Sequence, residues 1–256
     1  MDLAAILSSS DANRANRTLA MLRRHRAESL VLTGGLAIEL NMRLAGGAPA
    51  VRPLNDIDFV VDSFSEIPAT LATDLIFRHV HPHDPPAKTL LQCVHPQSVH
   101  SQHLHPQNVQ PETAVRVDIF RAYGGATARA VPAQLNGAAL RMVSLEDLAA
   151  RTARLCMGLA GDEAVPAKHA RDLLRLLAVA DLGQSEAAWQ DHRKAGYPAS
   201  FSDAARQLTA LIAERPDLQI DPIYSRDTTA RCSRCEATPE FPLADAGCVL
   251  SLLGYC

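Results

Sequence analysis

The sequence lacks several features that would place it in a special class at once. It has no large excess of one charge: the formal net charge is only -3 over 256 residues, which removes any global reason to expect polyanion binding. Seven arginines between Arg14 and Arg52 still leave room for a local basic surface. No apolar run approaches the roughly 18 to 20 residues of a membrane span. The first residues, M-D-L-A-A-I-L-S-S-S, carry an acid where a signal peptide carries positive charge, so a cytoplasmic location without membrane attachment is expected. No internal repeat is visible. With 47% hydrophobic and 21% charged residues, the chain reads as an ordinary globular protein, long enough for one large domain or two modest ones. Its six cysteines favour free thiols or a metal over disulfides in a reducing compartment.

What is present is centred on Val31 to Val61. V-L-T-G-G-L-A-I-E-L reads as strand, glycine turn and helix, and L-N-D-I-D-F-V-V-D as a second strand. Alternate strand residues share a face, so Asp56 and Asp58 point together while Ile57 and Phe59 enter a core. Residues 11 to 26 have helical composition, with Leu19 and Leu22 on one face. Ser65 is a candidate cap for a helix reaching Leu75, and Ile76 to Val80 resumes strand character. The segment His79 to Pro111 holds seven of the ten histidines and six prolines, and reads as an irregular insertion around a strand at Thr89 to Val94. A-V-R-V-D-I-F-R-A is an alternating strand with Val115, Val117 and Ile119 on one face and Arg116, Asp118 and Phe120 on the other. From Ser144 the pattern turns helical, with S-L-E-D as a capping-box-like start. Helices are expected over Lys168 to Leu182, Glu186 to Lys194 and Phe201 to Ala213.

Two carboxylates side by side repel, and a hard divalent cation such as Mg2+ relieves that repulsion through oxygen ligands. Asp118, on a separate strand, supplies a third acid. Two acids from one strand and one from a neighbour are a way to hold two magnesium ions around a triphosphate, for in-line displacement at the α phosphate. Gly34 and Gly35, opening a helix, offer backbone N–H groups to phosphates.

G-G followed by D-I-D on a strand, with V-D-I-F later, resembles the polymerase-β-like nucleotidyltransferase superfamily. Within it, T-G-G-L-A-I-E-L, R-P-L-N-D-I-D-F and the helical A-K-H-A-R-D-L are similar to the AbiEii/AbiGii toxin-like nucleotidyltransferases, over roughly residues 28 to 180. An α+β fold is expected: a mixed sheet flanked by helices in a nucleotidyltransferase catalytic domain (1–138), then, by the change of pattern along the chain, a helical domain (139–215) and a cysteine-containing tail (216–256). The resemblance further implies Gly34 and Gly35 at the nucleotide phosphates and Asp56, Asp58 and Asp118 as metal ligands, with Asp118 also as base or as ligand of the activated hydroxyl. Lys168 and Asp172 match a helical element near the nucleotide, in which His169 stands where the family has an acid. The connection from Gly35 to Asp56 is longer than in minimal members.

Two further clusters stay open. His79, His81 and His83 share a strand face interrupted by Pro82, and read either as solvated loop or as a contact to substrate. Cys232, Cys235, Cys248 and Cys256 have the spacing of a small zinc knuckle, which would fasten the tail with structural Zn2+. Against this, Cys248 lies in an apolar run where a buried thiol is ordinary. Cys93 and Cys156 read as core thiols. The functional expectation is a nucleotidyltransferase that uses Mg2+ and moves an NMP from an NTP such as ATP to a hydroxyl of RNA, such as a tRNA end, or of a small molecule, with an antitoxin protein as partner. The alternatives are a catalytically silent nucleotide- or RNA-binding module and a zinc-fastened interaction protein.

Overall fold

In the computed structural model, residues 2–79, 90–94, 115–220 and 240–242 are described. They form a mixed eight-stranded sheet with helices packed on it, followed by a helical region. The strand order is β6-β7-β1-β2-β5-β4-β3-β8, with β1 Val31–Thr33, β2 Asp56–Val61, β3 Ile76–His79, β4 Leu90–Val94, β5 Arg116–Arg121, β6 Val131–Leu135, β7 Ala138–Met142 and β8 Glu240–Pro242. The fold class is the expected one, α+β.

Helix α1 (Ser9–Arg24) starts where the Ser8 hydroxyl accepts the Asp11 N–H at 3.2 Å. Its buried stripe Ala12, Ala15, Leu19 and Leu22 follows the helical period. Two polar residues on the same helix hold the strands that matter most. Asp11 accepts the Leu54 N–H at 3.3 Å, and Arg14 donates to the Leu54 carbonyl at 3.2 Å, two residues before β2. Thr18 accepts the Val115 N–H at 2.8 Å, one residue before β5. One helix therefore anchors the entrances of both acid-bearing strands.

β1 is buried along its length, as a central strand must be. It leads without a loop into α2 (Gly34–Leu44). Asn41 of α2 donates to the Val143 carbonyl at 3.2 Å and so ties this helix to the end of β7. β1 pairs antiparallel with β2 and parallel with β7, and β2 pairs parallel with β5. The apolar alternates Ile57, Phe59, Val117 and Ile119 are buried, which fixes the opposite face for Asp56, Asp58, Arg116 and Asp118.

Three local readings change. No helix runs from Ser65 to Leu75: short 3-10 turns occupy Phe64–Glu66 and Ala69–Thr73, and Ser63, not Ser65, is the cap. Pro68 is the reason, since the residue before proline is forced out of the helical region and Ile67 has ψ 122°. The stretch between β5 and Ser144 holds a hairpin, β6–β7, turned at Asn136 (φ 47°) and Gly137 (φ 79°) with Leu135 opposite Ala138; Asn-Gly is the preferred pair for such a two-residue turn. Glu240–Pro242, within the cysteine-bearing tail, pairs with β3 as an edge strand.

Helices α3 (Leu145–Cys156), α4 (Ala167–Leu177), α5 (Ser185–His192), α6 (Phe201–Ala213) and α7 (Pro216–Gln219) follow the sheet. Ser144 caps α3 by accepting the Asp147 N–H at 3.1 Å, while Leu155 on the same helix is exposed. Trp189 and Phe201 are fully buried between helices, and the Trp189 indole N–H donates to the Pro198 carbonyl at 2.9 Å. Cys156 is a buried free thiol, its pKa pushed up to about 12 by burial and by nearby Asp172. Among the described residues no helix is long and apolar enough to cross a membrane.

Candidate active site

The parallel register of β2 and β5 sets Asp58 beside Asp118 and Asp56 beside Arg116. One face of two strands thus carries three acids and one arginine in a compact rectangle. A carboxylate oxygen from each of Asp56, Asp58 and Asp118 lies within 4.8 Å of the other two. Asp118 is buried, and Asp56 and Asp58 are half-buried. Three oxygen donors at such separations suit a hard divalent cation, and all-oxygen ligation by carboxylates suits Mg2+ or Mn2+ better than Zn2+.

The electrostatics support the same reading. The Asp58 carboxyl is pushed up to about 8, by burial first and then by the charges of Asp56 and Asp118, with Arg151 and Arg116 opposing. Burial and two neighbouring carboxylates thus disfavour the charge on Asp58, which nearby positive charge offsets. Arg116 supplies part of it: its Nη2 lies 2.5 Å from Asp56 Oδ2 and its Nε 3.0 Å from Asp118 Oδ1. Burial disfavours its charge, but the two carboxylates more than compensate and hold the guanidinium firmly protonated.

Gly34 closes one side. It has φ +67°, and a Cβ there would lie 1.8 Å from Asp58 Oδ2, so both backbone conformation and space demand glycine. Gly35 differs: a Cβ would meet only the Arg52 guanidinium, at an ordinary 3.6 Å. The N-terminus of α2 therefore lies against Asp58.

Arg151, which the motif reading passed over, completes the surroundings. It projects from α3, its Nη1 3.3 Å from Thr33 Oγ1 and its guanidinium 5.6 Å from the centre of the Phe120 ring. It thus joins the strand–helix turn to the acid-bearing strand. The only hint in the sequence was its spacing from Ser144 and Leu148, which puts it on the helix face turned to the sheet.

Lys168 is exposed on the first turn of α4. Its neighbour His169 has its pKa lowered to about 4 by burial and by the charges of Lys168, Arg151 and Arg52, which brings that turn into the electrostatic reach of the glycine turn. Asp172 does something else. It is buried and accepts from Arg52 Nη1 at 3.1 Å, within a network in which Arg52 and Arg175 both bind buried Glu39, at 2.5 Å and 2.7 Å. The Arg52 guanidinium also donates to the Gly35 carbonyl at 3.3 Å. This network ties α2 to α4 and steadies the glycine turn from behind.

Cys232, Cys235, Cys248 and Cys256 lie outside the described residues, as do His81 and His83. His79 ends β3.

The fold and the acid cluster together define a class: an α+β protein with three aspartates converging beside a strand–helix turn. No protein-family model matches the sequence, and no curated protein sequence matches it. Among solved structures, the chain is similar in fold to the polyadenylate synthase of Megavirus, at 12% identity and TM-score 0.42 over 64% of this chain. It spans 31% of that protein's length. It is also similar to an antigenic nucleotidyltransferase-like protein from Paracoccidioides brasiliensis, at 15% identity and TM-score 0.42, covering 90% of this chain and 99% of that one.

Proposed function

We propose that this protein is a divalent-metal-dependent nucleotidyltransferase that moves a nucleoside monophosphate from an NTP to an acceptor hydroxyl. The observation that carries the reading is the convergence of Asp56, Asp58 and Asp118 within 4.8 Å, with the glycine turn pressed against Asp58. Asp56, Asp58 and Asp118 would hold Mg2+, and Mg2+ bound there supplies charge neutralisation for the triphosphate and acidity for the acceptor hydroxyl.

The chain's own groups divide the remaining work. Backbone N–H groups of Gly34 and Gly35 receive phosphate oxygens at the positive end of α2. Arg151 and Lys168 add cationic charge on the helical side of the cleft. Asp118, the most buried of the three acids, accepts the proton of the attacking hydroxyl. The acceptor oxygen bonds to the α phosphorus as the bond to the β-phosphate oxygen breaks, and pyrophosphate leaves. His169 stays neutral near pH 7, so it adds no charge to the phosphate side.

For the acceptor, an RNA 3′ hydroxyl such as a tRNA end and a small-molecule hydroxyl both fit this chemistry. The toxin resemblance favours RNA, with an antitoxin as protein partner. Incubation with each α-labelled NTP, Mg2+ and either total RNA or a small-molecule panel identifies the product. Label transfer that disappears in Asp58→Asn is the expected result. Absence of transfer from every NTP, with no thermal stabilisation by Mg2+ and NTP, would overturn the reading in favour of a silent binding module. Metal analysis of the purified protein against a Cys232→Ser/Cys235→Ser variant tests the proposed structural Zn2+ of the tail.

A further inference from the structure

The acid cluster already contains a cation of its own. Arg116 is the first residue of β5, opposite Asp56 across the parallel pairing and two residues before Asp118 on the same face. Its guanidinium spans the two acids, with 2.5 Å to Asp56 Oδ2 and 3.0 Å to Asp118 Oδ1. The side chain is 18% exposed and those of Asp118 and Asp56 are 6% and 32%, so the Asp118 side of the bridge is shielded from water and poorly screened while the Asp56 side is partly open to it. Asp58 feels Arg116 through space, together with Arg151.

We propose that Arg116 is a tethered counter-cation that competes with the divalent ion for Asp56 and Asp118, and so sets the metal concentration at which the site fills. The inference rests on the metal reading of the same three acids. A small hard ion needs carboxylate oxygens at about 2.1 Å in a near-octahedral shell. A guanidinium bonded to one oxygen of Asp56 and one of Asp118 takes up those lone pairs, and its charge repels the incoming ion. An ion that takes Asp56 Oδ2 or Asp118 Oδ1 must displace the guanidinium from that oxygen, and one that takes the other oxygen of either carboxylate still meets its charge. Three acids with no built-in cation would bind a divalent ion tightly and at all times, whereas three acids with a competing guanidinium bind it weakly and reversibly.

The competing account is that Arg116 holds the acids in their binding geometry, in which case removing it weakens metal binding. Arg151 separates competition from simple through-space repulsion, because it acts on Asp58 without bonding to Asp56 or Asp118 in the way Arg116 does.

The experiment titrates Mn2+ alone into the full chain and follows free Mn2+ by electron paramagnetic resonance, for the parent protein and for Arg116→Gln, Arg116→Lys, Arg151→Gln and Asp58→Asn. Competition predicts that Arg116→Gln binds Mn2+ about ten-fold more tightly than the parent. Arg116→Lys, which keeps the charge but loses the bridging fork, should gain less. Arg151→Gln should gain less than about two-fold, since its charge is not bonded across the two acids. Equal or weaker binding by Arg116→Gln, or an equal gain in Arg151→Gln, overturns the inference. Saturable binding lost in Asp58→Asn locates the ion at this cluster. No saturable binding in parent or Arg116→Gln overturns the metal reading and the inference with it. A measurement on the parent protein needs no variant to fold: the Arg116 Nε–H resonance should shift and lose its protection from exchange on adding Mg2+, and an unmoved resonance overturns the competition.

Discussion

Two buried groups of acids lie on either side of the glycine turn, and they differ in charge balance. Behind the turn, Glu39 and Asp172 face Arg52 and Arg175, two acids against two arginines. Burial alone would raise the Glu39 carboxyl, but Arg175, Arg52 and the Ala50 N–H hold it below its ordinary value. In front of the turn, Arg116 bridges Asp56 and Asp118, and Asp58 is driven up to about 8 by burial and by those two acids. The first cluster pairs its acids with arginines and joins two helices, although burial still raises the Asp172 carboxyl above its ordinary value. In the second, burial and the two neighbouring acids disfavour the charge on Asp58, so a proton or an added cation is expected to stabilise it. Buried carboxylates alone do not mark a functional site; buried carboxylates without enough internal counter-charge do.

The largest effects should separate the two clusters by kind. Asp58→Asn is expected to lower NMP transfer by about 10⁴-fold, near 5 kcal/mol of barrier, measured with labelled NTP while circular dichroism shows a retained fold. Glu39→Gln should act on stability instead, costing about 3 kcal/mol because two buried guanidinium groups lose their shared partner. Urea unfolding measures this, and a cost under about 0.5 kcal/mol would place Glu39 among ordinary surface substitutions and dissolve the contrast.

A pH series sharpens the comparison further. The Asp58 carboxyl keeps its proton in the folded chain up to about 8, against an ordinary value of 3.8. Between those values the folded state holds more protons than the unfolded one. Without divalent ions, stability should therefore fall as pH rises from near 4 towards 8 and level off above. Asp58→Asn removes this dependence. It should match the parent near pH 4 and exceed it by on the order of 2 kcal/mol near pH 8.5, a figure discounted for water in the cleft. For the same reason Mg2+ should raise the melting temperature more at about pH 8.5 than at about pH 5.5. A flat profile in both proteins would mean that Asp58 is not short of positive charge.

The smallest predicted stability change is at Gly35. Its Cβ position makes only an ordinary contact with Arg52, so Gly35→Ala should shift stability by less than about 1 kcal/mol. If the Gly34 and Gly35 amides receive phosphate as proposed, a methyl beside them should nevertheless weaken NTP binding, which isothermal titration reads directly. Gly34→Ala, in contrast, meets both a positive φ and Asp58, and should lose folding and nucleotide binding together.

Much of this was legible in the residues. Period-two alternation placed Asp56 and Asp58 on one face and Asp118 on another strand, and the paired glycines marked the turn. The β6–β7 hairpin and the broken helix after Ser65 were also written locally, in Asn136-Gly137 and Ile67-Pro68, though neither pair shaped the sequence reading. Asp172 illustrates the opposite case. A motif places it near the nucleotide; only the fold shows it buried against Arg52, which also donates to the Gly35 carbonyl. Arg151 and Arg116 carried no motif, because their roles depend on what lies across a gap from them.

Local sequence is enough to say which side chains share a strand face, where the chain turns sharply, and that three acids and a glycine pair are available. The parallel register of β2 and β5, which sets Asp118 beside Asp58 and Arg116 beside Asp56, comes from the fold as a whole. Strand alternation is a local consequence of backbone geometry. Strand pairing is a long-range choice made by burial on the opposite face, here Ile57, Phe59, Val117 and Ile119, and no local pattern specifies the partner.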